Sequence, residues 1–270
     1  MVEYNVYKEG KKAIVTFSYD DGVLQDKRLI DIFNKYGIKA TFHLNSGYIT
    51  SSGRVQKDEI KDVYKGHEIA CHTVHHPSIA EMPLPSAITE VIEDRKRLEE
   101  ITGAPVRGMS YPNGSVSDDV IALMKACGIV YARTAVRTNS KPFKLPEDFM
   151  RWDATCHHND ALEKAEEFLN TIVNVGWRKG LLYIWGHSFE FDSTPDRGFE
   201  YIEEVCKLIG NNDKIWYATN IEIYDYIMAQ KSLIMTVDEK IITNPTITDV
   251  WVTRNGKVEK IPAGQTVVFE

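Results

Sequence analysis

Short apolar runs alternate with amphipathic segments along most of the chain. Ala13 to Phe17 is a mainly apolar run of strand length, and its end delivers Asp20 and Asp21 into a loop. Leu24 to Tyr36 then carries helical periodicity, with Leu29, Ile30, Ile32 and Phe33 apolar and Asp26, Lys27, Arg28 and Lys35 polar, and Gly37 supplies the stop. The same alternation predicts strands at Lys39 to Leu44, His67 to Cys71, Val106 to Tyr111, Ile129 to Thr134, Met150 to Ala154, Leu181 to Trp185 and Lys214 to Ala218. Helices are predicted over Asp58 to Lys65, Pro83 to Thr102, Ser117 or Asp118 to Cys127, Asp160 to Val175, Phe199 to Ile209 and Ile221 to Ala229. Residues 136 to 150, rich in Lys, Pro and Asn, read as a loop.

Regular strand and helix alternation predicts a parallel α/β body, in which functional groups gather at the carboxyl ends of the strands. From Ser232 the pattern changes to short alternating strands at Leu233 to Val237, Val250 to Thr253, Val258 to Ile261 and Thr266 to Phe269, with Asn255-Gly256 as a hairpin turn. The expected organisation is an α/β body over residues 1–231 and a small antiparallel β appendage over 232–270, too small to hold together unless it packs on the body.

Composition narrows the function classes. A net charge of −7 lacks the positive footprint that a general hold on nucleic acid requires. No segment approaches the roughly 20 apolar residues of a membrane span. Met1 to Lys12 has no apolar signal core, so the chain as it stands is expected to be cytoplasmic, or secreted if a leader has been removed. Cys71, Cys127, Cys156 and Cys206 are scattered without C-x-x-C spacing and read as buried free thiols. A homo-oligomer is compatible with all of this.

The chemistry-bearing stretch is His72-Thr73-Val74-His75-His76, taken with Asp20-Asp21. Imidazoles four apart can face one point if a helical turn carries them, and a carboxylate from another strand can complete three ligands on a divalent ion.

Thr16-Phe17-Ser18-Tyr19-Asp20-Asp21-Gly22, the run Gly66-His67-Glu68-Ile69-Ala70-Cys71-His72-Thr73-Val74-His75-His76-Pro77, the turn Pro112-Asn113-Gly114 and the late strand Leu182-Tyr183-Ile184-Trp185-Gly186-His187 stand in one order. Together they resemble the polysaccharide deacetylase family, carbohydrate esterase family 4, over residues of about 12 to 225. The resemblance implies an irregular (β/α) barrel of seven or eight strands and metal-dependent removal of an acetyl group from nitrogen or oxygen of a carbohydrate. It implies Asp21, His72 and His76 as ligands of one divalent ion, Asp20 as general base, His187 as general acid and the Asn113 backbone N–H as an oxyanion donor. Zinc suits such a site best, and Co2+, Ni2+ or Fe2+ would fit the same atoms.

One departure stands out: where the family commonly carries an arginine against the base, this chain has Ser110. Arg151 is the expected replacement and Arg107 its rival. Tyr111, Trp152 and Trp185 are candidates for an apolar wall against substrate, or for core. His43 reads as a packed or supporting group, His75 as solvent-facing or supporting a ligand, and His157-His158 as loop residues whose rings point apart, with one of them lining the cleft. An amidase of small cyclic amides and a catalytically silent carbohydrate-binding protein are the alternatives.

Overall fold

The computed structural model describes residues 1–137 and 143–270. Residues 138–142, within the expected loop 136–150, lie outside the described residues. Five short strands lie off the main sheet: β1 (Val2–Glu3), β11 (Ile234–Met235), β12 (Ile241–Thr243), β14 (Lys257–Ile261) and β15 (Thr266–Val268), with β13 (Val250–Arg254) joining them. The main sheet is built from β2 (Ala13–Asp20), β3 (Ala40–Leu44), β4 (Glu68–Cys71), β5 (Gly108–Ser110), β6 (Tyr131–Arg137), β7 (Trp152–Ala154), β8 (Cys156–His157), β9 (Gly180–Gly186) and β10 (Ile215–Tyr217).

All pairings in the main sheet are parallel, in the order β7-β6-β5-β4-β3-β2-β9-β8, and β10 pairs with the first residues of β2. The two ends of that order, β7 and β8, are joined by Thr155 alone. Its N–H donates to the Tyr183 carbonyl at 2.8 Å, and its Oγ1 accepts from the Tyr183 N–H at 3.0 Å. The sheet therefore curls into a nearly closed barrel with helices outside, the irregular barrel that the family resemblance implies. The eight predicted strands are present; β8 was not expected, because two residues carry no periodicity.

Every residue of β2 is buried, Thr16 and Ser18 included, which explains why its sequence is mainly apolar rather than alternating with exposed charges. The helices bury one face each. Phe33, on the helix Asp26–Lys35, packs 4.8 Å from Phe17 of β2.

The C-terminal strands form two antiparallel sheets, β1-β13-β14 and β11-β12-β15. The N-terminus takes part: Val2 stands level with Arg254 and Glu3 with Thr253. Ile242, Val250, Val252 and Ile261 bury against Ala229 of the last helix, Asn220–Lys231. No helix among the described residues is long and apolar enough to cross a membrane.

Candidate active site

The chemistry-bearing residues collect at the carboxyl ends of the barrel strands. Asp20 is the last residue of β2 and Asp21 follows it; His72 follows β4, Ser110 ends β5, His157 ends β8 and His187 follows β9. Pairing sets their level: Asp20 stands beside His43, and Ser110 beside Arg133.

Asp21, His72 and His76 offer ligand atoms that all lie within 4.8 Å of one another. Asp21 Oδ1 is 4.0 Å from Nε2 of both His72 and His76, whose rings are 4.7 Å apart. They do not meet through a helical turn. Residues 72–76 form a loop in which Thr73 (φ 64°) and His76 (φ 57°) are left-handed, and Asp21 (φ 81°) and Asn113 (φ 56°) share that conformation. Non-glycine residues pay sterically for it, and such strain concentrates where a side chain must be aimed. Thr73 Oγ1 accepts the His76 N–H at 3.0 Å, which holds the turn.

The donor set fits a divalent cation. His72 Nδ1 lies 2.9 Å from the Ser110 carbonyl, which fixes the proton there and leaves Nε2 as the electron-pair donor. Nε2 is buried with no hydrogen-bond partner. Burial also pushes the His72 pKa down to about 3, so the ring is neutral. The buried Asp94 carboxylate accepts the backbone N–H groups of His72 (3.0 Å) and Ser46 (2.8 Å), anchoring the ligand strand from the helix Leu84–Thr102. His75 turns outward to Glu90, at 2.7 Å.

Asp20 is buried among donors. Ser110 Oγ donates to Oδ1 at 3.0 Å, His43 Nδ1 lies 3.2 Å from the same oxygen, and the Arg133 guanidinium is hydrogen-bonded to Oδ2. Burial pushes this carboxyl up, but Arg133, His72 and His43 outweigh it and hold it well below the ordinary carboxylate range.

The arginine is thus neither of those expected. Arg151 donates to Asp118 at 2.6 Å on the surface, and Arg107 donates to Asp225 at 2.6 Å. Arg133 reaches across the barrel interior, its Nε–H donating to Ser18 Oγ at 3.1 Å and its guanidinium lying 4.3 Å from the Trp185 ring. The small Ser110 stands level with it on the neighbouring strand. A cation inside the apolar run Ile129 to Thr134 was the available signal, since a buried charge requires a partner.

Trp185 lines the site, 5.2 Å from the His157 ring and 5.8 Å from His187. Trp152 and Tyr111 do not. Trp152 is 1% exposed among Tyr131, Phe149 and Tyr183, and Tyr111 is buried with its hydroxyl donating to the Met150 carbonyl at 3.0 Å. Asn113 lies exposed in the turn Pro112–Gly114 after β5.

Residues 7–132, which carry Asp20, Asp21, His72, His76 and Ser110, are matched by the family model "Polysaccharide deacetylase". Over that stretch, just under half of its length, the chain is similar to the polysaccharide deacetylase family. Among curated proteins it is 26% identical over 116 residues to the peptidoglycan-N-acetylglucosamine deacetylase PgdA of Listeria monocytogenes, covering 42% of this chain and 24% of that protein. It is 25% identical over 95 residues to the uncharacterized protein YlxY of Bacillus subtilis, covering 35% and 29%. These matches span less than a third of either relative.

Solved polysaccharide deacetylase structures share the fold over more of the chain. A Mycobacterium smegmatis protein described as a polysaccharide deacetylase aligns with a TM-score of 0.62 at 19% identity, covering 83% of this chain and 93% of that one. Peptidoglycan deacetylase PdaC of Bacillus subtilis aligns at 0.53 and 16%, covering 82% and 94%. A family pseudoenzyme from Bacillus anthracis aligns at 0.50 and 17%, covering 80% and 66%. Fold alone therefore does not decide activity in this family; the side chains at the strand ends must.

His187 keeps a hydrogen bond between its Nδ1 and Glu190 Oε1, at 2.8 Å. Burial would lower its pKa, but Glu190, Asp20 and Asp21 together raise it above the ordinary histidine value. His157 and His158 do not point apart. The chain leaves β8 directly for a 3-10 turn at His158–Asp160, which brings the two rings within 4.2 Å of each other.

Proposed function

We propose that the protein is a metal-dependent hydrolase that removes an acetyl group from an N-acetylated or O-acetylated carbohydrate. The observation that carries this reading is the pairing of two adjacent carboxylates with different surroundings. Asp21 Oδ1 lies 4.0 Å from Nε2 of both His72 and His76, whereas Asp20, whose Oδ2 is also 3.8 Å from His72 Nε2, is hydrogen-bonded by Arg133 and Ser110 with His43 beside it.

Asp21, His72 and His76 would hold the cation; zinc suits two imidazoles and a carboxylate, and Co2+, Ni2+ or Fe2+ would also be accepted. When bound, it polarises the acetyl carbonyl and acidifies water as a Lewis acid. Asp20, kept ionised by Arg133, accepts the proton of the attacking water. His187, held by Glu190 and with its pKa raised by the carboxylates around it, donates a proton to the departing nitrogen or oxygen. The Asn113 backbone N–H supplies a donor to the oxyanion. Water is consumed, the carbon–nitrogen or carbon–oxygen bond breaks, and acetate and the free amine or hydroxyl leave. Trp185 provides an apolar face beside the acid.

The names of the relatives direct the substrate panel to peptidoglycan N-acetylglucosamine first, with chitin oligomers and acetylated xylan beside it. Acetate release is measured with metal-stripped protein reconstituted with single ions, and with His72→Ala. Activity that needs added ion and is lost in His72→Ala is expected. Turnover by the stripped protein at the same rate would refute the reading.

A further inference from the structure

The same barrel end carries a second group of ligand-bearing side chains. Glu190, which opens the short helix Glu190–Ser193, places Oε1 2.8 Å from His187 Nδ1 and Oε2 3.1 Å from Nε2 of both His157 and His158. Three imidazoles thus converge on one carboxylate, and the ligand atoms of His157, His187 and Glu190 all lie within 4.8 Å of one another.

Hydrogen bonding accounts for only part of this. The His187 contact meets hydrogen-bond geometry and His157 Nδ1 accepts the Asn159 N–H at 3.4 Å, but His158 is fully buried and its Nε2, 3.1 Å from Glu190 Oε2, misses hydrogen-bond geometry. A neutral imidazole has one N–H, so directing three of them at one carboxylate requires three tautomers to agree. A cation accepts electron pairs from nitrogen and oxygen alike and needs no such agreement. The packing is made for convergence: a Cβ on Gly186 would lie 2.0 Å from His158 Nδ1, so only glycine leaves room for that ring.

We infer that His157, His187 and Glu190 form a second divalent-cation site, with His158 packed against the same carboxylate, and that it takes zinc or an ion of similar ligand preference. Two imidazoles and a carboxylate are the donor set zinc favours. Bonds of about 2.0–2.1 Å would be reached by closing His157 and His187 about their side-chain torsions. A consequence rests on the proposed role of His187. An ion on its Nδ1 takes the place of the proton shared with Glu190 and leaves the Nε2 proton in place; that N–H is a weaker acid than the N–H of an imidazolium, so filling the site suppresses turnover. The first ion would activate and the second would inhibit.

Zinc binding to metal-stripped full-length protein, followed by calorimetry and by metal content after dialysis, tests the site without reference to activity. Wild type is expected to bind two equivalents. His72→Ala should lose one and keep the other, while Glu190→Gln and His157→Ala should each lose the other one, with circular dichroism confirming that all are folded. A single equivalent in wild type, or two in folded Glu190→Gln and His157→Ala, overturns the site. Acetate release by wild type should fall as the second equivalent binds, and that fall should be absent in His157→Ala; unchanged turnover with both sites filled overturns the inhibitory role. Absence of acetate release at any zinc level would instead sink the deacetylase reading, and the binding stoichiometry would stand apart from it.

Discussion

Replacing Arg133 by methionine removes the guanidinium from Asp20 while keeping most of the side-chain volume. Two unit charges about 4 Å apart are worth roughly 4 kcal/mol at an effective dielectric of about 20. At about 1.4 kcal/mol per unit this is about three pKa units, an upper bound here because Ser110 and His43 also face the carboxylate. A rise of about 1–3 units in the Asp20 pKa is therefore expected. The sign follows from the chemistry: a base works only when deprotonated, so the acidic limb of the kcat/KM profile should move to higher pH. Stability should also fall, by about 3–5 kcal/mol, because the partner left behind is a buried charge. Asp20 has a depressed pKa in the fold, so its stabilising contribution is present above the ordinary aspartate pKa and is lost as the pH falls through the folded value. The assay is acetate release from pH 4 to 9 (about this range suffices) on wild type, Arg133→Met and Arg151→Ala. Arg151, paired with Asp118, should leave the limb where it is. A folded Arg133→Met with an unmoved acidic limb would refute the assignment.

Other perturbations separate packing from chemistry. Trp152→Ala should cost about 3–5 kcal/mol in urea unfolding, since the ring is fully enclosed, whereas Trp185→Ala should change kcat/KM more than stability; the reverse order would contradict their placement. Asp94→Asn should weaken zinc binding about 10–100-fold in a competition titration, because one of two backbone N–H bonds that position His72 is lost; unchanged affinity would mean the loop holds itself. Burial pushes Asp26 up to about 7 while it accepts from Tyr64 (2.7 Å) and Ser188 (2.5 Å). A carboxyl raised in the fold stabilises most below its unfolded pKa and loses that advantage as the pH rises to about 7, so wild type should lose stability relative to Asp26→Asn between about pH 4 and 7, by roughly 1.4 kcal/mol per unit. A difference independent of pH would show that Asp26 is ionised throughout.

The sequence by itself determined the strand and helix alternation, the aspartate pair, and His72 with His76. Each rests on contiguous residues: a buried parallel strand is an apolar run, and its carboxyl end delivers whatever comes next into the site. Tertiary structure alone decided which groups face one another. Arg133 meets Asp20 only because the sheet curls far enough for β6 to look across at β2, with Ser110 small beside it. Strand spacing in sequence holds no record of that curvature, so it points to Arg151, with Arg107 as rival, and not to Arg133. Trp152 and Tyr111 went to the core and Trp185 to the site for the same reason: a strand's two faces are told apart by what packs on each. The His157–His158–His187–Glu190 cluster depends on a turn beginning one residue after β8 and on the missing side chain of Gly186, both of which act through space rather than along the chain.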